Sequence, residues 1–126
     1  MRQQLSVEAL KTEELSEAWA LARASGTYAN KDWWIAEGTE IISAGGGVLA
    51  ARAIDGQLHG VATFQASREG TLVIPLLVTF EFSRCEPTRN ALLNSLKRIA
   101  TKLECTHVLA PLSGKFESRR GKHDCD

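Results

Sequence analysis

The sequence has little of several features that define common classes of protein. Its 126 residues include only three cysteines, an odd number without a disulfide framework, so we expect free thiols and a reducing, cytoplasmic setting. No stretch approaches the roughly 20 apolar residues of a membrane helix, and the acidic N-terminus has no apolar core typical of a signal peptide. Fifteen basic residues balance fifteen acidic ones. We therefore expect neither a membrane partner nor a nucleic-acid partner, since nucleic-acid binders usually carry a basic surplus.

What remains is the composition of an ordinary folded protein. Apolar residues make up 44% of the chain and charged residues 24%, which is typical of a globular domain and not of a disordered chain. The length is sufficient for one domain with a hydrophobic core. We expect that domain to span residues 1–112. Residues 113–126 are polar and of mixed charge, which favours a flexible C-terminal tail.

The first half of the chain predicts a short edge strand followed by two helices. Asn30 is placed to cap the second helix, which would continue through Gly38 at a cost of about 1 kcal/mol relative to alanine. Trp33 and Trp34 are adjacent and cannot share one helix face. One of them should be buried, and the other should be available to a ligand or an interface.

Strand patterns follow, beginning with a hairpin around Asp55-Gly56, a pair that suits a tight turn. His59, beside that turn, is predicted to be a solvated strand residue. In the next strand, TLVIPLLVTFEF, Pro75 has no N–H and must interrupt the ladder by a bulge or a parting of strands. Apolar residues at every second position predict one common face, made of Leu72, Ile74, Leu76, Val78, Phe80 and Phe82.

The last two elements are a helix over residues 88–103 and a strand over residues 106–110. The helix has a continuous apolar face formed by Leu92, Leu93, Leu96, Ile99, Ala100 and Leu103. The resulting order is β-α-α-β-β-β-α-β. It predicts an α+β (mixed α/β) domain with a central, mostly antiparallel sheet flanked by helices.

The segment FSRCEPTRNALL joins the apolar strand to the best helix, and two interpretations of it stay open. In the first, Arg84 and Arg89 hold an anion at the helix start, since arginine can grip a phosphate with two parallel hydrogen bonds. In the second, the segment is an ordinary strand-to-helix corner with Pro87 at the first helical position, where proline is favoured.

A mirrored pair of short motifs raises the question of a metal. Cys105 and His107 form C-x-H, and His123 and Cys125 form H-x-C. Both residue types bind zinc, but the spacing matches no common zinc module and the second pair lies in the expected tail. We therefore predict no metal site.

The order of elements, together with the segment LVTFEFSRCEPTRNALL, resembles the GNAT family of N-acetyltransferases. That family has Arg or Gln, two residues, Gly, one residue, and Gly or Ala at this place, followed by paired leucines. Here Arg84 falls on the leading position, while Pro87 and Arg89 occupy the two glycine positions. Ala91-Leu92-Leu93 falls on the helix start. The segment is thus similar to a divergent P-loop, and the resemblance covers residues 1–111.

The resemblance implies an enzyme that binds acetyl-CoA or another acyl-CoA and transfers the acyl group to a small-molecule or peptide amine. It implies cofactor contacts at Val78, Thr79, Arg84, Cys85, Thr88, Arg89 and Asn90. It places the acceptor near Tyr28, Trp33 and Trp34, and leaves Glu81 as the candidate base. The alternative is a non-catalytic module that binds a protein partner, or forms a homodimer, through a sheet edge that the family's last strands would otherwise cover.

Overall fold

The computed structural model describes residues 5–79 and 85–109 of the chain. The described elements, in chain order, are β1 (Leu5–Ala9), a 3-10 helical segment (Thr12–Ala18), α1 (Trp19–Ala24), α2 (Lys31–Ser43), β2 (Gly47–Ala53), β3 (Leu58–Ala66), β4 (Thr71–Thr79), α3 (Cys85–Lys102) and β5 (His107–Leu109). The strands form one sheet in the order β1-β2-β3-β4-β5. Neighbours are antiparallel except for β4 and β5, which are parallel. The predicted element order and fold class are confirmed, with the first helix divided into the 3-10 segment and α1.

Helices cover both faces of this sheet. On one face, here called the α2 face, the 3-10 segment, α1 and α2 pack through residues such as Leu15 and Trp34. On the other, the α3 face, α3 packs through Leu92 and Leu96. Burial of each such side chain contributes about 1.5–3 kcal/mol, so both layers are needed for stability. No helix in the described ranges is long and apolar enough to cross a membrane.

Strand β4 contains the interruption that Pro75 predicts. Thr63 of β3 pairs with Leu76, but two residues later Gln65 pairs with Val73. Strand β4 therefore carries one more residue than β3 over this interval, which is a β-bulge. The exposed Pro75 lies inside it, where the missing N–H leaves no ladder bond unmade.

The bulge reverses the side-chain alternation of β4. Leu72 and Ile74 lie in the core of the α3 face, whereas Leu76 and Val78 pack in the core of the α2 face. The prediction of a single apolar face for the whole strand is therefore wrong, because one inserted residue moves every later side chain to the other side. Strand β4 is therefore covered by helices on both of its faces. The positions of Phe80 and Phe82 in this pattern lie outside the described residues.

A second irregularity changes the environment of His59. Ala51 pairs with Gly60, and the next residue, Arg52, pairs with Leu58, so His59 is the additional residue of β3. Its side chain is 8% exposed, and its Nδ1 has no hydrogen-bond partner among the described residues. The prediction of a solvated His59 is wrong, because the bulge takes this residue out of the regular alternation on which that prediction depends.

Helix α2 is fixed at its start and along its buried side. The Asn30 Oδ1 accepts a hydrogen bond from the Trp33 backbone N–H at 2.8 Å, as the predicted cap requires. The Trp34 Nε1 donates to the Leu15 carbonyl oxygen at 2.8 Å. The helix continues through Gly38, where an added Cβ would lie 2.8 Å from Leu15 Cδ1. Gly38 therefore lets α2 pack closely on the 3-10 segment.

The β2–β3 hairpin turns at Asp55-Gly56, as predicted. Gly56 has a φ of +93°, and the Asp55 carboxylate accepts a hydrogen bond from the Gln57 backbone N–H at 3.0 Å. Beside the turn, Arg52 donates to the carboxylates of Glu8 at 2.8 Å and Glu17 at 2.7 Å. The hydrogen bond from Arg52 holds the pKa of Glu17 below its ordinary value. These ion pairs tie β1 and the 3-10 segment to β2.

Helix α3 begins at Cys85 and ends at Lys102, so its start precedes the predicted one by three residues. Pro87 is consequently the third residue of the helix and not the first. Proline is accommodated there because the first four N–H groups of a helix have no intrahelical acceptor. At the other end, Leu103 lies beyond the helix and is 46% exposed. It therefore does not extend the apolar face as predicted.

Candidate active site at the end of β4

The predicted cofactor residues fall where β4 ends and α3 begins, a region we call the α3 corner. Val78 and Thr79 are the last described residues of β4, and Thr88, Arg89 and Asn90 lie in the first turns of α3. Cys85 begins the helix, although its side chain is outside the described part of the structure. Arg84 and Glu81 also lie outside the described residues.

Gly60 determines how closely α3 approaches the sheet at this corner. It pairs with Thr79 at the end of β4. A Cβ added to Gly60 would lie 2.8 Å from Thr88 Cγ2, 3.0 Å from Leu92 Cδ1 and 3.1 Å from Thr79 Cγ2. All three distances are shorter than ordinary van der Waals contacts between carbon atoms. The absence of a side chain at Gly60 therefore brings the first turns of α3 directly onto β3 and β4.

Thr88 carries an unpartnered polar atom at this contact. Its side chain is 1% exposed, and within residues 5–79 and 85–109 its Oγ1 has no hydrogen-bond partner. Burying a hydroxyl without a hydrogen-bond partner costs about 1–3 kcal/mol, because no new bond replaces its hydrogen bonds to water. Such groups in native proteins are usually satisfied by a bound molecule or by ordered water. Thr88 therefore marks the α3 corner as a place that suits a ligand.

The electrostatics of the corner favour an anion. The N-terminus of an 18-residue helix carries partial positive charge and presents backbone N–H groups. Arg89 is half-buried and Asn90 is exposed in the first two turns. Pro87 removes one N–H donor, which distinguishes this helix start from a glycine-rich one. The remaining donors and the cationic side chain suit a phosphate or a similar group.

Strand pairing changes along β4 at the bulge. Strand β5 pairs with Thr71–Val73, the part of β4 that precedes Pro75. Within the described residues, β5 makes no pairs with the half of β4 that holds Val78 and Thr79. Val78 and Thr79 are half-buried. Among the described residues, this half of β4 pairs with β3 along one edge and with no strand along the other.

A second corner lies where α1 gives way to α2, and we call it the α2 corner. Tyr28 and Trp33 meet edge to face with ring centroids 5.4 Å apart, and Tyr28 and Trp34 meet at 5.3 Å. Trp34 is fully buried, whereas Trp33 is 47% exposed. The prediction that only one of the two tryptophans is buried is confirmed. Trp34 is a core residue whose indole N–H is already bonded, so we no longer assign it to acceptor binding.

Glu37 joins this corner through Tyr28. The Tyr28 hydroxyl donates to Glu37 Oε2 at 3.5 Å, a long hydrogen bond. Burial, with the negative charge of Glu37 as a second cause, raises the pKa of Tyr28 to about 12. Glu37 follows Trp33 by four residues on α2, so the carboxylate and the exposed indole share one face of the helix.

The two corners lie on opposite faces of the sheet. Tyr28 and Trp34 belong to the core that includes Leu58 and Val61, both in the first half of β3. Gly60 lies between those two positions on the same strand, but it faces α3.

Three residues of this region were missed or misjudged from sequence. Glu37 could have been noticed from its spacing of four residues after Trp33. Gly60 had a signal as well, since an isolated glycine in a strand often marks a close approach of another segment. No sequence pattern indicated the burial of His59, because the bulge depends on how β3 pairs with β2 and the sequence of β3 alone does not show that pairing.

The C-x-H motif does not form one side of a strand. Cys105 precedes β5 and is half-buried, while His107 is exposed on the strand with its Nδ1 3.0 Å from the Thr106 Oγ1. Among the residues that the structure describes, no three His, Cys, Asp or Glu side chains are grouped as a metal ion would require. His123 and Cys125 lie outside the described residues.

Known proteins resemble this chain in structure far more than in sequence. No model of a protein family and no curated protein matches the sequence. An aminoglycoside N-acetyltransferase in complex with CoA superposes with a TM-score of 0.78 at 15% identity, covering 98% of this chain and 88% of that chain. The aminoglycoside antibiotic 6'-N-acetyltransferase from Acinetobacter baumannii gives 0.72 at 16% identity, covering 96% and 89%. Glucosamine-6-phosphate N-acetyltransferase from Arabidopsis thaliana gives 0.71 at 13% identity, covering 94% and 89%.

These similarities extend over nearly the whole chain and lie far above the level of a chance resemblance. They show that the chain has the fold of the GNAT acyltransferases, as the sequence resemblance predicts. Identities of 13 to 16% show the fold alone, because one fold commonly carries many functions.

Proposed function

We propose that the protein is an acyl-CoA-dependent N-acyltransferase that binds acetyl-CoA or another acyl-CoA at the α3 corner and transfers the acyl group to an amine. The observation that carries the proposal is the buried Thr88 hydroxyl, which has no hydrogen-bond partner among the described residues and lies at a helix start that Gly60 holds against the end of β4. The acetyltransferase fold supports the same assignment. One of the structures with this fold contains CoA.

In this proposal the α3 corner holds the pyrophosphate. The N–H groups of the first helical turn, with Arg84 and Arg89, bind the phosphate oxygens. The Thr88 hydroxyl contributes a further donor. The backbone groups of Val78 and Thr79 bind the pantetheine arm, since β5 pairs only with the earlier half of β4 in the described structure.

Acyl-CoA, when bound, supplies an acyl group that is already activated as a thioester. The amine would attack the carbonyl carbon and form the C–N bond as the C–S bond breaks, CoA would leave as a thiolate, and the amine proton would pass to a base or to that thiolate. This reaction depends on positioning and on a donor to the carbonyl oxygen more than on a strong base. The strand Thr71–Thr79 contains no carboxylate. Glu81 remains our candidate for the group that accepts the proton.

Thermal stabilisation by CoA tests the proposal. At a concentration 100 times its Kd, CoA should add about 2.7 kcal/mol to the free energy of unfolding, which raises the melting temperature measurably. Pantetheine, which lacks the phosphates, should stabilise much less. Thr88→Val should leave the unliganded protein as stable or slightly more stable, because valine removes an unsatisfied hydroxyl. The same variant should reduce the stabilisation by CoA.

Arginine variants provide the matched comparison. The Arg84→Ala, Arg89→Ala double variant should lose most of the CoA effect. Arg98→Ala removes an exposed arginine farther along the same helix and should keep that effect. Absence of any shift at millimolar CoA would overturn the acyltransferase assignment. Equal stabilisation by CoA and pantetheine would overturn the phosphate site.

A second candidate function is a non-catalytic module that pairs with a protein, or with its own copy, through the β5 edge. Three exposed apolar residues in this region support it: Leu103, Val108 and Leu109. Sedimentation analysis of the full chain tests it. A dimer that dissociates in a Val108→Lys variant, together with no response to CoA, would favour this candidate over catalysis.

A further inference from the structure

His59 is a buried polar residue to which the proposed function gives no role. It is the additional residue of β3 in the bulge against β2, and its side chain is 8% exposed. Its Nδ1 has no hydrogen-bond partner among the described residues. Bulges are common next to active sites, where they change the direction of a side chain. The cofactor contacts that the family resemblance implies include no residue of β3, so His59 lies outside that set.

A second buried polar atom lies around the same glycine. Gly60 directly follows His59, so their Cα atoms are about 3.8 Å apart. A Cβ at Gly60 would lie 2.8 Å from Thr88 Cγ2. The Thr88 Oγ1, like the His59 Nδ1, has no partner within residues 5–79 and 85–109. Buried polar atoms in native proteins are almost always bonded, and one molecule that accepts a hydrogen bond from each would satisfy both.

The surroundings of this pair favour an anion over a water molecule. The pair lies against the start of an 18-residue helix, whose N-terminus carries partial positive charge. Arg89 follows Thr88 and adds a full positive charge. The carboxylates of Glu8 and Glu17, on neighbouring elements, are paired with Arg52. An imidazole N–H and a hydroxyl both donate hydrogen bonds, and phosphate oxygens accept them.

The position of the pair along β4 determines which phosphate it can hold. Gly60 pairs with Thr79, and a Cβ at Gly60 would lie 3.1 Å from Thr79 Cγ2. In the proposed function the backbone of Thr79 binds the pantetheine arm. A phosphate held beside Gly60 is therefore the one bonded directly to that arm, and not one farther out on the nucleotide.

We propose that His59 and Thr88 together bind the phosphate that is bonded to the pantetheine arm. The His59 Nδ1–H and the Thr88 hydroxyl donate to its oxygens. The part of the acyl donor recognised here is then phosphopantetheine, and the rest of the nucleotide is not needed at this site. The inference rests on the proposed function for the identity of the ligand, whereas the phosphate site itself depends on these two side chains alone.

Three probes test the proposal by thermal unfolding of the full chain. Pantetheine has no phosphate, phosphopantetheine has only the phosphate bonded to the arm, and CoA adds the nucleotide. Phosphopantetheine should bind at least about tenfold more tightly than pantetheine, as expected for hydrogen bonds to a charged group. Equal binding of phosphopantetheine and pantetheine, with tighter binding of CoA, would overturn the inference, because the phosphate recognised would then lie farther out.

Variants of the histidines localise the binding. His59→Leu should weaken phosphopantetheine by about tenfold and leave pantetheine unchanged. His59→Asn keeps an N–H donor on a short side chain and should recover part of that loss. His107→Leu removes an exposed histidine of β5 and should affect neither ligand. Equal weakening of both ligands by His59→Leu would show a purely structural role, and that result would overturn the inference.

A double variant tests whether the two side chains hold the same phosphate. Residues in one hydrogen-bond network have effects that are not additive. The loss of phosphopantetheine affinity in His59→Leu, Thr88→Val should therefore be smaller than the product of the losses in the two single variants. A loss equal to that product would place the two residues at separate sites and contradict the shared one.

The outcome separates this inference from the proposed function. If CoA stabilises the native protein and the His59→Leu variant equally, the role of His59 is wrong and the acyltransferase assignment stands. Inorganic phosphate tests the site without the arm, at about 100 mM, where a site with a millimolar Kd is filled. If phosphate stabilises the native protein but not the His59→Leu variant, and CoA gives no stabilisation, the acyltransferase assignment fails while the phosphate site is retained.

Discussion

The two corners differ in the charge that they suit. At the α3 corner a helix start, an arginine and a buried hydroxyl that has no partner among the described residues suit an anion. At the α2 corner an exposed indole and a half-buried carboxylate suit a cation. An acyl transfer from an anionic donor to an amine, which is cationic when protonated, uses both kinds of site. The difference between the corners therefore supports a two-substrate reaction more than either corner does alone.

The corners also differ in how they are built. The α2 corner rests on Trp34, whose rings and N–H are satisfied by Tyr28 and by the Leu15 carbonyl. The α3 corner rests on a missing side chain, since α3 reaches the sheet only because Gly60 has no Cβ. Shortening the Trp34 side chain should therefore disrupt the α2 corner, whereas adding a side chain at Gly60 should disrupt the α3 corner.

The largest effect is expected at the α2 corner. Trp34→Ala should lower the free energy of unfolding by about 3–5 kcal/mol, because it leaves a large cavity in the core. It also leaves the buried Leu15 carbonyl without its donor. Trp33→Ala, the adjacent control, should cost only about 0.5–1.5 kcal/mol, the contribution of its edge-to-face contact with Tyr28. Urea unfolding followed by circular dichroism measures both. Equal losses in the two variants would contradict the division into a structural and a ligand-facing tryptophan.

A smaller effect is expected at the α3 corner. Gly60→Ala should lower the free energy of unfolding by about 1–3 kcal/mol, as for other insertions into a packed region. The same variant should weaken CoA, because it displaces the first turns of α3. Adding Thr88→Ser removes the nearest obstructing atom, Cγ2, and keeps the hydroxyl. The double variant should regain part of the stability of Gly60→Ala, as urea unfolding would reveal. No recovery would show that the contact with Thr88 is not the cause.

Much of this architecture could be predicted from local patterns in the sequence. The helical cap at Asn30, the turn at Asp55-Gly56 and the interruption at Pro75 each follow from the chemistry of one or two residues. The element order and the position of the α3 corner follow from periodicity and from the family resemblance. These features depend on residues that are close together in the sequence, so the sequence alone predicts them.

What could not be predicted depends on pairing between distant segments. Pro75 predicts an interruption, either a bulge or a parting of strands, but the effect on Leu76 and Val78 requires knowing that an extra residue lies in β4 and not in β3. The burial of His59 depends on a shift against β2. The contact of Gly60 with α3 joins residues that lie about thirty positions apart, and no local pattern reports such a contact.

The smallest effect is a titration that reports on the α2 corner directly. The pKa of Tyr28 is raised to about 12 by burial and by Glu37, and absorbance at the tyrosinate band follows this single tyrosine alone. Because the folded protein holds the phenol proton more tightly than the unfolded chain, whose tyrosine titrates near 10, this contribution to stability is present below about pH 10. It should be lost as the pH rises toward about 12. Glu37→Gln should move the midpoint downward but not to that of the unfolded chain, since burial is the larger cause. An unchanged midpoint in that variant would mean that Glu37 does not act on Tyr28, and that burial alone raises the pKa of the phenol.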